Sequence, residues 1–214
     1  MRVRLWLIIL ALMLTPALAW AGTDARCGLS FGIAGGPAVN TDTTLKDEFN
    51  VPAVFELETK YYLWKPISLA FGLGYIYAEG KPKHAEWHGD WLDFNDRGTS
   101  FWRAGTFNLI SRVEIGRYWL FNPYLGGGGG GVYSTMWRRG TVGEKKLSDS
   151  YDEWMLDYFG LVGFDFLFAD FFGIEDIFAL KVEGRWSFMP SNDSFTDERD
   201  LGLWTGLIGL QIYL

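Results

Sequence analysis

Residues 176–190 read DIFALKVEGRWSFMP. Lys181, Glu183 and Arg185 take every second position, and Phe178, Leu180, Val182, Trp186 and Phe188 fall between them. Successive side chains of a β-strand point to opposite faces. One face of this strand is therefore charged and the other large and apolar. The fold turns on which of them points inward.

The same period of two recurs along the chain, with turn residues between the runs. It predicts eight strands, over residues 27–37, 53–64, 66–78, 101–119, 124–137, 152–168, 176–189 and 200–214. No 3.6-residue repeat is long enough to propose a helix in the mature chain; Gly173 interrupts the apolar run FADFFGIEDIF. Long polar connections (41–50, 79–100, 138–151, 190–200) take turns with short ones at Lys65-Pro66, at Phe121-Asn122-Pro123 and near 169–175. An even number of antiparallel strands with short turns at one end and long loops at the other is an up-and-down barrel layout.

Two all-β solutions satisfy that layout. A soluble, lipocalin-like barrel would enclose a cavity with its apolar face and expose the charges to water. A transmembrane barrel inverts the two faces. Side-chain volume favours inversion. On the third strand Ile67, Leu69, Phe71, Leu73, Tyr75 and Tyr77 oppose Ser68, Ala70, Gly72 and Gly74, and on the first Leu29, Phe31 and Ile33 oppose Ser30, Gly32, Ala34 and Gly36. An eight-stranded barrel is only wide enough for its interior to be filled by side chains, which suits the small set. Charge placement agrees, because a lipid-facing Lys or Arg at the midplane costs about 2–4 kcal/mol. The apolar faces are almost free of charge; Arg117 is the main exception, near a short-turn end and beside Trp119, where it would snorkel to the interface.

Inversion assigns ten charged residues to the lumen by parity: Glu56, Glu58 and Lys60, Arg112 and Glu114, Asp157 and Asp165, and Lys181, Glu183 and Arg185. Six acids and four bases in one narrow space must pair and hydrogen-bond, or each destabilises the barrel by several kcal/mol. The expectation is a polar plug; a proton or ion path and a ligand-binding lumen are the alternatives.

The chain closes on WTGLIGLQIYL, in which Trp204, Ile208, Leu210, Ile212 and Leu214 form one apolar face. This end resembles the terminal strand that bacterial outer-membrane barrels present to their insertion machinery, with Leu214 where the family usually has Phe or Trp. With NPYLGGGGGGVY, YFGLVGFDF and the charged alternation of 176–190, nearly all of the mature chain resembles the small outer-membrane barrels of the outer-membrane protein A and X type. The resemblance implies a cell outer-membrane location, lipid and lipopolysaccharide as surroundings, and periplasmic chaperones and the insertion machinery as partners. No further domain is expected after the eighth strand.

MRVRLWLIILALMLTPALAWA has a basic start, a short apolar run and a small-x-small site at Ala19-Trp20-Ala21. That predicts a signal peptide over 1–21 and a barrel domain over 22–214, since about ten apolar residues fall short of the roughly 20 that span a bilayer. Removing 1–21 takes away Arg2 and Arg4 and moves the net charge from −7 to −9. An acidic chain without a basic stripe is not expected to bind nucleic acid. The single cysteine, Cys27, permits no internal disulfide, and Asp24-Ala25-Arg26 before it argues against a lipoprotein signal.

Few residue clusters suggest chemistry. Six consecutive glycines, Gly126 to Gly131, lack the lysine of a phosphate-binding loop and read as relief of crowding in a narrow barrel. His84 and His88 lie four apart in HAEWHGDW, within a loop and not on a helix where such spacing binds metal, so no metal or cofactor is expected. Some outer-membrane barrels modify lipid A with Ser, His and a carboxylate at the bilayer edge; neither histidine here lies beside a serine on an alternating strand, so no enzyme is expected and no catalytic residue is named. The aromatic and charged loop 79–100 and the acidic loop 190–200 are candidate contacts for an extracellular ligand. A structural or surface-recognition barrel is therefore the leading reading, with a small-solute pore and a lipid A-modifying enzyme as alternatives.

Overall fold

The computed structural model describes residues 28–214 except 42, 65, 81–82, 89–90, 116–120, 143–144, 169–177 and 191–199, with backbone alone for 43, 44, 47, 64, 83–88, 91–98, 140–142, 145–147, 149 and 200. The segment 1–21, Cys27, Arg117 and Trp119 lie outside the described residues. So do the side chains of His84, His88 and the other residues of the 81–98 stretch.

Eight strands form the wall: β1 Leu29–Asn40, β2 Ala53–Trp64, β3 Ile67–Glu79, β5 Trp91–Glu114, β6 Phe121–Val142, β7 Lys145–Phe166, β8 Phe178–Pro190 and β9 Asp200–Tyr213. A short strand, β4 Lys83–His88, pairs with β5 alone among the described residues. All pairings are antiparallel, and the ring closes where β1 meets β9 and β3 meets β5. The register matches like with like across strands. One outward row runs Leu210, Ile33, Leu57, Leu73 and Phe107, and one inward row runs Gly32, Glu58, Gly72, Asn108, Gly130 and Asp157. A slip of one residue would exchange the two faces on every strand it touched, so the alternation itself fixes the register.

The outward face is apolar all round: Ile33, Val162 and Ile208 are 58%, 64% and 61% exposed, and Trp154, Trp186 and Trp204 stand outward as well. A soluble monomer rarely exposes apolar patches beyond a few hundred square ångströms. A continuous apolar girdle around a closed sheet is suited to hydrocarbon, where every backbone group must already be paired. The glycine run has a specific use. Gly126, Gly128 and Gly130 face the lumen, and a Cβ on each would come within 2.3, 2.2 and 1.9 Å of backbone oxygens of β5. The side chains of Arg112, Phe159 and Asn108 lie over these same three glycines, so bulk from β5 and β7 fills space that β6 leaves.

Three expectations are corrected. A short helix, α1 Thr43–Glu48, lies within the connection expected to be helix-free. Among its described side chains Leu45 is deeply buried, as is Phe49 just after it, a single i, i+4 pair that makes no detectable repeat. The connections 79–100 and 138–151 are largely strand: β5, β6 and β7 run 24, 22 and 22 residues against 12 to 14 for the other wall strands. About ten extra residues raise that side of the wall by roughly 30 Å. In sequence these stretches lack the clean apolar/polar alternation that marks a strand, and so read as connections. Phe121-Asn122-Pro123 is the start of β6, with Asn122 buried opposite Asp165.

Candidate functional site

The inward residues converge on an ion network in the half of the lumen nearer the short turns. Arg112, from β5, donates from Nη1 to Oε1 of Glu58 at 2.6 Å and from Nη2 to Oε2 at 2.5 Å, a bidentate pair whose planar geometry matches guanidinium to carboxylate. Its Nη2 also donates to Oε2 of Glu183 at 2.8 Å. Arg185, from β8, grips Glu56 on β2 at 2.7 and 3.0 Å and Oε1 of Glu183 at 2.8 Å. Lys181 donates to Oε2 of Glu58 at 2.9 Å and lies 3.4 Å from Glu183 and 3.9 Å from Glu56. Three bases and three acids thus form one neutral cluster bridging β2, β5 and β8 across the lumen. Glu183 is its hinge, since both arginines and Lys181 meet there.

Aromatic rings finish the packing around these ions. Tyr124 donates its hydroxyl to Glu183 at 3.1 Å and lies 5.1 Å beneath the Arg112 guanidinium; Phe159 lies 4.6 Å from that of Arg185. Cation–π contacts of this kind contribute on the order of 2 kcal/mol when desolvated. Nearer the short turns Lys60 donates to Asp165 at 3.1 Å between the rings of Tyr62 and Tyr213, and the Tyr213 hydroxyl also donates to Asp165 at 2.7 Å. Gln211 donates to the Ser30 hydroxyl at 2.7 Å beside them. Glu114 is half-buried and accepts from the Tyr62 hydroxyl. Asp157 is buried but stands outside these ion pairs.

All ten residues assigned by parity therefore lie on the inward face, and eight of them are joined in ion pairs. Sequence reasoning passed over Tyr62, Tyr124, Phe159 and Tyr213. Their parity was the available signal, because Tyr62 and Phe159 keep the phase of assigned charges on their own strands, and Tyr124 and Tyr213 take the phase opposite an outward apolar row.

The half of the lumen nearer the long connections is filled differently. Ala38, Val54, Ile76, Trp102, Val132, Met136, Met155, Met189, Leu203 and Leu207 form one apolar cluster, and Leu45 of α1 and Phe49 just after it enter it. Phe49 packs against Trp102 at 6.2 Å between ring centres, and Trp102 Nε1 donates to the Ser134 hydroxyl at 2.8 Å. Backbone ties hold the cap: Phe49 bridges to Gly80, Asn50 N donates to Glu79 O, and Thr41 N donates to Gly202 O, each of these two at 2.8 Å. Arg138 of β6 clamps the Glu48 carboxylate with two donors. A Cβ on Gly80 would lie 1.7 Å from the Ser100 hydroxyl, which is why the strap passes at a glycine.

Among the described residues no cluster of three His, Cys, Asp or Glu side chains could hold a metal ion. No family model matches the chain, and no curated protein is similar to it in sequence. Several solved structures align with it over most of its length. The attachment invasion locus protein of Yersinia pestis aligns over 86% of this chain and 97% of its own, at 13% identity and a TM-score of 0.47. The outer-membrane enzyme PagL aligns over 86% of this chain and 99% of its own, at 10% identity and a TM-score of 0.41. A Neisserial surface protein aligns over 87% of this chain and 97% of its own, at 9% identity and a TM-score of 0.52. That last likeness carries the fold alone: the chain has the fold of a small eight-stranded outer-membrane β-barrel.

Proposed function

We propose that the protein is an integral β-barrel of the cell outer membrane with a closed lumen, acting through its wall and its surface and not as a conduit. The observation that supports this best is the inverted polarity: an apolar exterior surrounds a lumen filled by ion pairs at one end and apolar side chains at the other. In this reading segment 1–21 directs export to the periplasm. The face of Trp204, Ile208, Leu210, Ile212 and Leu214 is then offered to periplasmic chaperones and the insertion machinery. Both mature termini face the periplasm, and the long connections face outward.

The tall side of the wall formed by β5, β6 and β7, with β4 at its edge, is the feature that favours surface recognition as the role. An extended sheet standing clear of the bilayer offers both faces to an extracellular partner. The reading assigns no catalytic residue. Its test is cell fractionation, gel mobility of the outer-membrane fraction before and after boiling, and planar-bilayer recording of the purified barrel. A mobility shift on boiling and no unitary current are expected; recovery in the soluble fraction, or steady open channels, would overturn it.

A further inference from the structure

The outward face of β5 carries one arginine where the girdle meets the long connections. Arg103 is exposed, and its guanidinium carbon lies 5.8 Å from the ring centre of Tyr77 on β3 and 5.2 Å from that of Trp137 on β6. Among the described residues it makes these two ring contacts and no ion pair; the nearby Glu79 accepts from the Tyr77 hydroxyl at 2.8 Å. Two rings hold the guanidinium in place by their faces and leave N–H donors for a ligand in the plane. Toward the membrane centre the next outward residue is Gly105, where an added Cβ would meet nothing within 4 Å. Tyr75 and Tyr133 stand directly opposite it on the two neighbouring strands. Two of the neighbouring rings are engaged elsewhere. Tyr133 leans onto Trp154, 5.0 Å between centres, and Phe107 lies over Gly131, whose Cβ would come within 2.4 Å of its ring. Below, Phe107 and Leu109 continue as apolar wall with no outward charge.

We propose that Arg103 with the Tyr75–Gly105–Tyr133 notch is a binding site for a phosphorylated outer-leaflet glycolipid, its phosphate on the guanidinium and an acyl chain lying in the notch. A fixed cation at the rim of an apolar slot matches an amphiphile whose anionic group sits at the interface and whose chain points to the midplane. A lone interfacial arginine would need no slot beneath it, and an apolar slot alone would need no cation. The glycolipid is chosen because the site lies at the long-connection end, so the assignment rests on the orientation proposed above.

The test uses the whole mature barrel in detergent and native mass spectrometry with added bis-phosphorylated lipid A, fully dephosphorylated lipid A, or inorganic phosphate. Wild-type protein should retain the phosphorylated form about tenfold better than the dephosphorylated one. Arg103→Ala and Arg103→Gln should erase that preference, and Arg103→Lys should keep part of it. Gly105→Leu should weaken retention of both forms severalfold by filling the notch. Equal retention of both lipids by wild type, or an unchanged preference in Arg103→Ala and Arg103→Gln, would overturn the site. Displacement by inorganic phosphate as effective in Gly105→Leu as in wild type would reduce it to a simple anion site and overturn the lipid assignment. Gel mobility on boiling is followed in every variant. Loss of the shift in wild type would count against the membrane reading itself, whereas a normal shift with no lipid preference would count against this site alone.

Discussion

The two halves of the lumen face the same problem and answer it with different chemistry. Both must fill a bore of one diameter with inward side chains of the same eight strands. Nearer the short turns, Arg112, Lys181 and Arg185 meet Glu56, Glu58 and Glu183; nearer the long connections, Trp102, Met136, Met155, Leu203 and Leu207 meet Leu45 and Phe49 of the cap. The transition is visible on a single strand, where Lys181, Glu183, Arg185, Ser187 and Met189 all point inward. The ionic half is demanding, since each charge needs its partner at a fixed position, and a wrong register would strand several at once. The apolar half is forgiving, since hydrophobic side chains of the right volume can substitute for one another. We read the difference as division of labour, with ions specifying which strand meets which and the apolar layer sealing the mouth.

The contrast predicts its largest effect where one ionic partner is deleted. Arg112→Ala leaves Glu58 and Glu183 buried with fewer donors and should lower stability by about 3–5 kcal/mol in a urea titration of the bilayer-inserted barrel. A loss below about 1 kcal/mol would break the distinction between the halves. A smaller effect is expected from crowding. Gly128→Val places carbon where Leu109 O and the Phe159 ring already lie, 2.2 and 2.8 Å from the Cβ position, and should cost about 1–3 kcal/mol. Wild-type stability in that variant would mean that β6 does not make room for β5 and β7. The smallest effect belongs to the cap clamp. Glu48 and Arg138 are only partly buried, so Glu48→Gln should change global stability by about 1 kcal/mol or less. It should raise amide exchange locally around residues 45–49, and leave bilayer current at baseline because the ionic layer below still fills the bore. An open channel in Glu48→Gln would instead make the cap the sole seal.

How much of this was legible from residues alone follows from the same physics. Wherever one face of a strand meets lipid and the other a packed lumen, the alternation is strong, as in Phe71-Gly72-Leu73-Gly74-Tyr75 and in Leu180 to Trp186. The tall ends of β5, β6 and β7 lack that clean alternation, so they read as loops. The inward set of charges followed from parity, but the partners did not. Glu58 meets Arg112 and Lys181 through the stagger of β2, β5 and β8, which depends on how the ring closes. The apolar half was hidden because Leu201, Leu203 and Leu207 share β9 with outward Trp204 and Ile208, so both faces of that strand read as greasy. The helix α1 was hidden because it offers no repeat to read; tertiary contacts, among them burial of Leu45 and the Arg138–Glu48 clamp, hold it in place. The Arg103 site needed cross-strand register, since Tyr75, Gly105 and Tyr133 are neighbours only once β3, β5 and β6 are paired.

The central claim is that one face of each wall strand meets hydrocarbon and the other meets the packed lumen. Its most direct test is a spin-label scan along β9 in a Cys27→Ser background, with the barrel inserted in bilayers. Single substitutions run from Trp204→Cys through Ile212→Cys, each reporting collision with oxygen dissolved in the bilayer. High oxygen accessibility is predicted at 204, 206, 208, 210 and 212, and low accessibility at 205, 207, 209 and 211. Equal accessibility along the strand, or the opposite phase with 205, 207 and 211 in contact with lipid, would contradict it.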